Sequence, residues 1–159
     1  VAEMIGRYSI GIFVFPPHAI IPLHDHPEMC VLSRVLYGDL TKRSLDLERQ
    51  GSVSRNSWLS NMMFGRSSSR KVPSTAKRGF HRETEYLQAP AVTMLFPFEG
   101  NLHEFVAGPN GAAVLDVLLP PYEDDRECTF YSIQEDQDDP RACWIVPTGQ
   151  PENFHCLSG

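Results

Sequence analysis

Several features are scarce in this chain of 159 residues, and each scarcity removes a class of protein. No apolar run approaches the roughly 18 residues that a membrane-spanning helix requires, so no membrane partner is expected. The opening Val1-Ala2-Glu3-Met4 shows no basic stretch leading into an apolar one, and no secretory signal is visible. No segment keeps a helical apolar period for three turns, and thirteen prolines would interrupt one. Internal repeats are absent. Cysteine is sparse: Cys30, Cys128, Cys143 and Cys156 form no CxxC pair and no disulfide-rich pattern, so free thiols in a reducing compartment are expected. Positive charge is in deficit at a net −6, which argues against nucleic acid as a partner.

What is present fits one domain over residues 1–159, with 42% hydrophobic residues and enough length for a core. The chain begins without Met and reads as trimmed at both ends, or as one module of something longer. Short β-rich runs dominate: Tyr8 to Phe15, Ile20 to His26, Cys30 to Leu36, Leu40 to Leu47, Tyr86-Leu87, Val92 to Phe96, Leu102 to Ala107, Ala113 to Leu119, Cys128 to Gln134 and Cys143 to Pro147. A Tyr37-Gly38-Asp39 turn separates the third run from the fourth. Gly51 to Gly79 reads as a long loop with a short strand at Trp58 to Phe64. Many short strands with regular Pro and Gly punctuation predict an all-β sandwich or barrel with few or no helices, a jelly roll being the natural choice.

Charge is unevenly spread. Ten of the fourteen Lys and Arg residues lie between Lys42 and Arg82, whereas Glu123, Asp124, Asp125, Glu127, Glu135, Asp136, Asp138 and Asp139 follow Pro120. The ordinary reading is a solvated basic stretch facing an acidic one; docking of a polymeric partner is the lesser alternative.

The chemistry concentrates in His24-Asp25-His26, read as lying on a strand, where residues two apart share a face and can chelate one ion. His103 offers a third nitrogen from another strand. Three imidazoles suit Fe, Cu, Ni or Zn. No carboxylate stands close enough in pattern to complete the set: Glu28 directly follows Pro27 and is not assigned as a ligand. Neutral ligands leave the ion's charge intact and positions open for an anionic substrate. Zinc would close the set with water and favour hydrolysis or hydration. Ferrous iron, with six positions, leaves three, enough for a thiolate, an amine and dioxygen.

The spacing of His24, His26 and Gly38 resembles the first cupin motif without its Glu, and Pro97, Gly100 and His103 loosely resemble the second. The longer run from Gly11 to Gly38, Asn101-Leu102-His103-Glu104, Asp116 to Tyr122 and Arg126 to Tyr131 together resemble the plant cysteine oxidases and their animal relative, cysteamine (2-aminoethanethiol) dioxygenase. That resemblance implies a cupin jelly roll and an enzyme using Fe(2+) and O2 to convert a thiol to a sulfinic acid. The thiol would be the N-terminal cysteine of a protein or peptide, whose oxidation feeds an N-degron pathway and would make the enzyme an oxygen sensor relevant to hypoxia. A cytoplasmic or nuclear monomer is expected. His24, His26 and His103 would be the metal ligands, with Asp116 and Tyr122 orienting the substrate amine or the oxygen species. Rival readings are a cysteamine dioxygenase, a non-catalytic metal-binding cupin and a three-histidine zinc enzyme. The animal enzyme's Cys–Tyr crosslink joins residues two apart; Phe130 follows Cys128 at that spacing, so no crosslink is expected there and packing is the expected role of Cys128.

Overall fold

The computed structural model describes residues 2–4, 8–48, 72–123 and 126–157, and every regular element among them is a strand. In chain order these are β1 (Ala2–Met4), β2 (Tyr8–Phe15), β3 (Ile20–His24), β4 (Cys30–Leu47), β5 (Lys77–His81), β6 (Glu85–Gln88), β7 (Val92–Leu95), β8 (Leu102–Leu119), β9 (Phe130–Glu135) and β10 (Ala142–Thr148). All pairings are antiparallel. The first half of β8 lies between β3 and the second half of β4, and its second half lies between β2 and the first half of β4. From β3 the sheet continues through β9, β10 and β5 back to β4, which closes it into a barrel. The architecture is the expected all-β cupin jelly roll. Closure matters because it leaves an interior that side chains must fill, while β1, β6 and β7 lie outside the ring, each paired to one strand.

Alternation along the strands builds that interior. Phe15, Val35, Leu40, Leu87, Phe105 and Val114 pack in one cluster, while Leu23, Leu45, Leu102, Cys143 and Ile145 pack in a second. Met29, Val31, Leu95 and Leu118 form a third.

Two expected strand pairs are single strands. Tyr37-Gly38-Asp39 is a bend inside β4, marked by register shifts at Val35/Tyr37 and Gly38/Leu40, and β8 likewise runs unbroken through Gly108 to Gly111. The glycines that signal a turn in sequence serve close backbone approach instead. Gly38 has φ +69°, and a Cβ there would collide with the carbonyl oxygen of Gly111. Gly111 has φ +74°, and a Cβ on it would sit 2.5 Å from the carbonyl oxygen of Phe15. Gly38→Ala therefore combines left-handed strain of about 1–2 kcal/mol with a clash against main chain, which cannot rotate away. A loss of about 3 kcal/mol or more in urea unfolding is expected; a loss under about 1 kcal/mol would show that the strands can part at this level.

The segment expected to be a loop ends in a strand. Lys77–His81 pairs with both β4 and β10, and Gly79 admits Ile145 against its main chain, which no local propensity announces. The rest of Gly51 to Lys71, including the strand expected at Trp58 to Phe64, lies outside the described residues. The basic stretch does face the acidic one where both are described: Arg78 reaches Asp136 at 3.5 Å and Asp139 at 3.9 Å, and His81 reaches Glu135 at 3.1 Å. Such partly exposed pairs contribute only about 0–1 kcal/mol each. Lys42 departs from that reading. It points into the barrel, 3% exposed, with its ammonium 2.8 Å from Glu85 and 3.0 Å from Thr93.

Candidate metal centre

His24 is the last residue of β3 and stands directly across from His103 near the start of β8. His26 lies beyond the strand, so the shared strand face expected for the pair does not bring it in. Asn101 does. Its Oδ1 accepts from the His26 amide at 2.9 Å and its Nδ2 donates to the His26 carbonyl at 2.8 Å, stitching this loop to the segment entering β8. A tight turn follows, with the Met29 amide donating to the His26 carbonyl at 3.1 Å and Glu28 at φ +60°. Glu28 is exposed and stays out of the cluster.

The three imidazoles converge. Each offers one ring nitrogen, and these atoms lie within 4.8 Å of one another. The Nε2 atoms of His24 and His26 are 3.1 Å apart. Metal–nitrogen bonds of about 2.0–2.1 Å place two donors on one ion about 2.8–3.4 Å apart, so this spacing suits a shared cation.

The other ring nitrogens decide the tautomers. His24 Nδ1 faces the Pro22 carbonyl at 2.9 Å and His103 Nδ1 faces the Asn101 carbonyl at 3.2 Å. A carbonyl only accepts, so both Nδ1 atoms carry the proton. His26 Nδ1 meets the Tyr122 hydroxyl at 2.6 Å, and that hydroxyl also lies 3.1 Å from the Asp25 carbonyl. The arrangement that frees His26 Nε2 for a cation has Tyr122 donating its single proton to the carbonyl and His26 Nδ1–H donating to the phenol oxygen. All three Nε2 lone pairs are then free, and two of them face each other at hydrogen-bond distance with no proton between them. A cation resolves that repulsion. Burial also favours neutral rings: desolvation lowers all three, holding His26 at about 3 and His103 well below its usual range. The donor set fits a divalent transition metal, and outer partners of this kind are what orient such ligands.

A cavity of about 150 Å³ opens onto the cluster. Asp116 and Tyr122 both line it, so the chain brings together all five residues singled out from sequence. Asp116 is not among the converging metal-site groups. Its register partner across the sheet is Ser33, to whose hydroxyl it is hydrogen-bonded, but its Oδ1 is buried without a partner. Burial, only partly offset by Ser33, pushes its carboxyl up to about 6. Tyr122 is raised above its usual range by burial first and then by Cys128. Cys128 is not simply packed, as the sequence suggested. The residue is exposed as a whole, but its thiol lies against the Tyr122 hydroxyl in the cavity, where partial loss of water pushes it up to about 11.

Phe154 and Cys156 also line this cavity, a contribution no motif signals because they arrive from the far end of the chain. Asn101 was within a recognised segment yet gave no hint of its role, since an amide clamp on a distant main chain leaves no spacing pattern. His18, His81 and His155 are exposed, away from the cluster.

Comparison with known proteins agrees with this geometry. Residues 5–158 match the family model described as PCO_ADO. The chain is 35% identical over 131 residues to a probable 2-aminoethanethiol dioxygenase of Dictyostelium discoideum, covering 79% of this chain and 50% of that protein. It is 31% identical over 163 residues to the 2-aminoethanethiol dioxygenase of Homo sapiens, covering 94% of this chain and 60% of the human protein. Plant cysteine oxidase 2 of Arabidopsis thaliana is 37% identical over 129 residues, covering 79% of this chain and 40% of the plant protein. The chain thus spans between two fifths and three fifths of the length of these relatives. Among solved structures, NovW, a 4-keto-6-deoxy sugar epimerase of Streptomyces spheroides, aligns with a TM-score of 0.50 at 14% identity over 94% of this chain and 60% of its own, a likeness of fold alone. With the family model matched almost end to end, the chain belongs to the family of the plant cysteine oxidases and 2-aminoethanethiol dioxygenases.

Proposed function

We propose that this chain is the catalytic module of a non-haem iron(II) thiol dioxygenase that oxidises the N-terminal cysteine of a peptide or protein to cysteine sulfinic acid. The observation that carries the reading is a pair of features in one cavity. Three neutral histidines converge without a carboxylate, and Asp116, which has a buried oxygen without a partner, lines the same cavity. Iron(II), held by His24, His26 and His103, would bring thiolate and dioxygen together and relay electrons between them, the sulfur losing the four electrons that dioxygen gains and taking both oxygen atoms.

The chain's own residues select the substrate. An uncharged ligand set leaves the ion's charge for a thiolate, and the ionised Asp116 suits the ammonium that lies two carbons from that sulfur. The Tyr122 hydroxyl, with its proton committed to the Asp25 carbonyl, offers the cavity a fixed dipole. A volume of about 150 Å³ is that of about five liquid waters, sufficient for an aminoethanethiol head. Cysteamine and an N-terminal cysteine share that head. The mouth favours the larger substrate, because Cys128 and Cys156 there are exposed and leave a way out for a following chain.

This reading extends to an oxygen-sensing N-degron pathway in the cytoplasm or nucleus, on the strength of the family and of cysteines that are all free among the described residues. Oxygen uptake by the iron-loaded protein, offered a Cys-initiated peptide, cysteamine or free cysteine, tests it directly. A peptide product heavier by two oxygen atoms is expected. Uptake with cysteamine alone would move the assignment to small thiols, and bound zinc with no iron-dependent turnover would end it.

A further inference from the structure

Asp25 lies between two ligands but takes no part in the converging cluster. Its hydrogen bonds go elsewhere, and they go to one place. Oδ1 accepts from the Thr129 amide at 2.9 Å, and Oδ2 accepts from the Tyr131 hydroxyl at 2.7 Å. The Asp25 amide donates to the Thr129 carbonyl at 3.2 Å, and its own carbonyl accepts from Tyr122 at 3.1 Å. Four bonds from one residue therefore reach the stretch between Tyr122 and Tyr131, which carries the cavity residues Tyr122, Cys128 and Phe130. Arg126 is bonded to Glu123 and to the Pro121 carbonyl, contacts that shape this stretch without tying it to the histidines.

We propose that Asp25 is a positioning residue: it fastens Thr129, Tyr131 and Tyr122 onto the ligand loop, and thereby holds Tyr122 where it fixes the ring and tautomer of His26. The logic is one of proton accounting. Tyr122 commits its proton to the Asp25 carbonyl only while the segment is docked there, and the docking is made by the Asp25 carboxylate and amide. Without it, Tyr122 is free to donate to His26 Nδ1, which would shift the ring proton to Nε2 and block the nitrogen that must bind the metal. The carboxylate faces donors only, so it serves as an anchor and not as an acid or base.

The proposal rests on the thiol dioxygenase reading only for its consequence in turnover; its structural content is measured separately. Asp25→Ala should move the His26 Nδ1 and Nε2 15N shifts of the metal-free chain from those of one tautomer toward the average of two, and weaken iron(II) binding by about 10–100-fold in chelator competition. Asp25→Asn, whose carbonyl can still accept from Thr129, should restore a single tautomer and affinity within a few-fold of the parent. Tyr131→Phe, which removes one bond and leaves the main chain alone, should fall between them and serves if Asp25→Ala fails to fold. A single Nδ1–H tautomer and unchanged iron affinity in Asp25→Ala, or in Tyr131→Phe if that variant alone folds, would overturn the proposal. Tautomer mixing in a protein that consumes no oxygen with any thiol would leave the positioning role standing and end the reaction reading.

Discussion

His103→Ala is expected to lower iron(II) affinity by more than 100-fold and to abolish thiol-dependent oxygen uptake. Loss of an outer partner that merely orients a ligand costs about 10–100-fold, and loss of the ligand itself must exceed that. The remaining pair, His24 and His26, would hold an ion on one side only. His103 is 3% exposed and its ring packs edge-on against Phe105 at 5.0 Å, so the truncation also leaves a cavity. A destabilisation of about 2–4 kcal/mol in the metal-free protein is expected from that alone. Metal content and urea unfolding of the metal-free protein separate the two effects. A variant that kept full iron and full rate would remove His103 from the centre.

The second large effect runs in opposite directions for function and stability. Asp116→Asn should cut kcat/KM for an amine-bearing thiol by about 10–100-fold, the loss of one charge-assisted hydrogen bond in a buried site. It should also stabilise the metal-free fold at pH 8. The Asp116 carboxyl is held at about 6 in the fold against an ordinary 3.8. The folded state therefore binds the proton more tightly, and stability falls as pH rises from about 4 through about 6. Above that window the full cost is present, on the order of 3 kcal/mol, for a residue only 9% exposed. Removing the charge recovers part of it. Urea midpoints for parent and variant should differ at pH 8 and draw together near pH 4. A variant less stable than the parent at pH 8 would show that the carboxylate is held by partners and not stranded. The same stranding is what a substrate ammonium would relieve, a trade of stability for function that is common in active sites.

Much of this was legible in the residues. β-Branched and aromatic residues concentrated in Tyr8 to Phe15 and Cys30 to Leu36, with Pro and Gly between runs, mark strands because such side chains suit a pleated surface. The histidines were legible because a metal needs several donors and imidazoles are rare. Asp116 and Tyr122 came from resemblance, and nothing in their local pattern assigns them a task.

What sequence could not supply was everything set by distant main chain. Gly38 looks like a turn because glycine is permissive; only its approach to Gly111 makes it a bend within one strand. Lys77–His81 looks like loop because its pairing energy resides in β4 and β10, not in its own side chains. Lys42 looks solvated until Glu85 appears opposite it in register. The residues by themselves determined that an all-β chain would carry three imidazoles and no matching carboxylate. The tertiary structure decided that the three rings converge and that Tyr122 holds the outer edge of His26, because a contact between residues 96 apart leaves no trace in local sequence, whereas His24 and His103 are held by carbonyls only two residues before them.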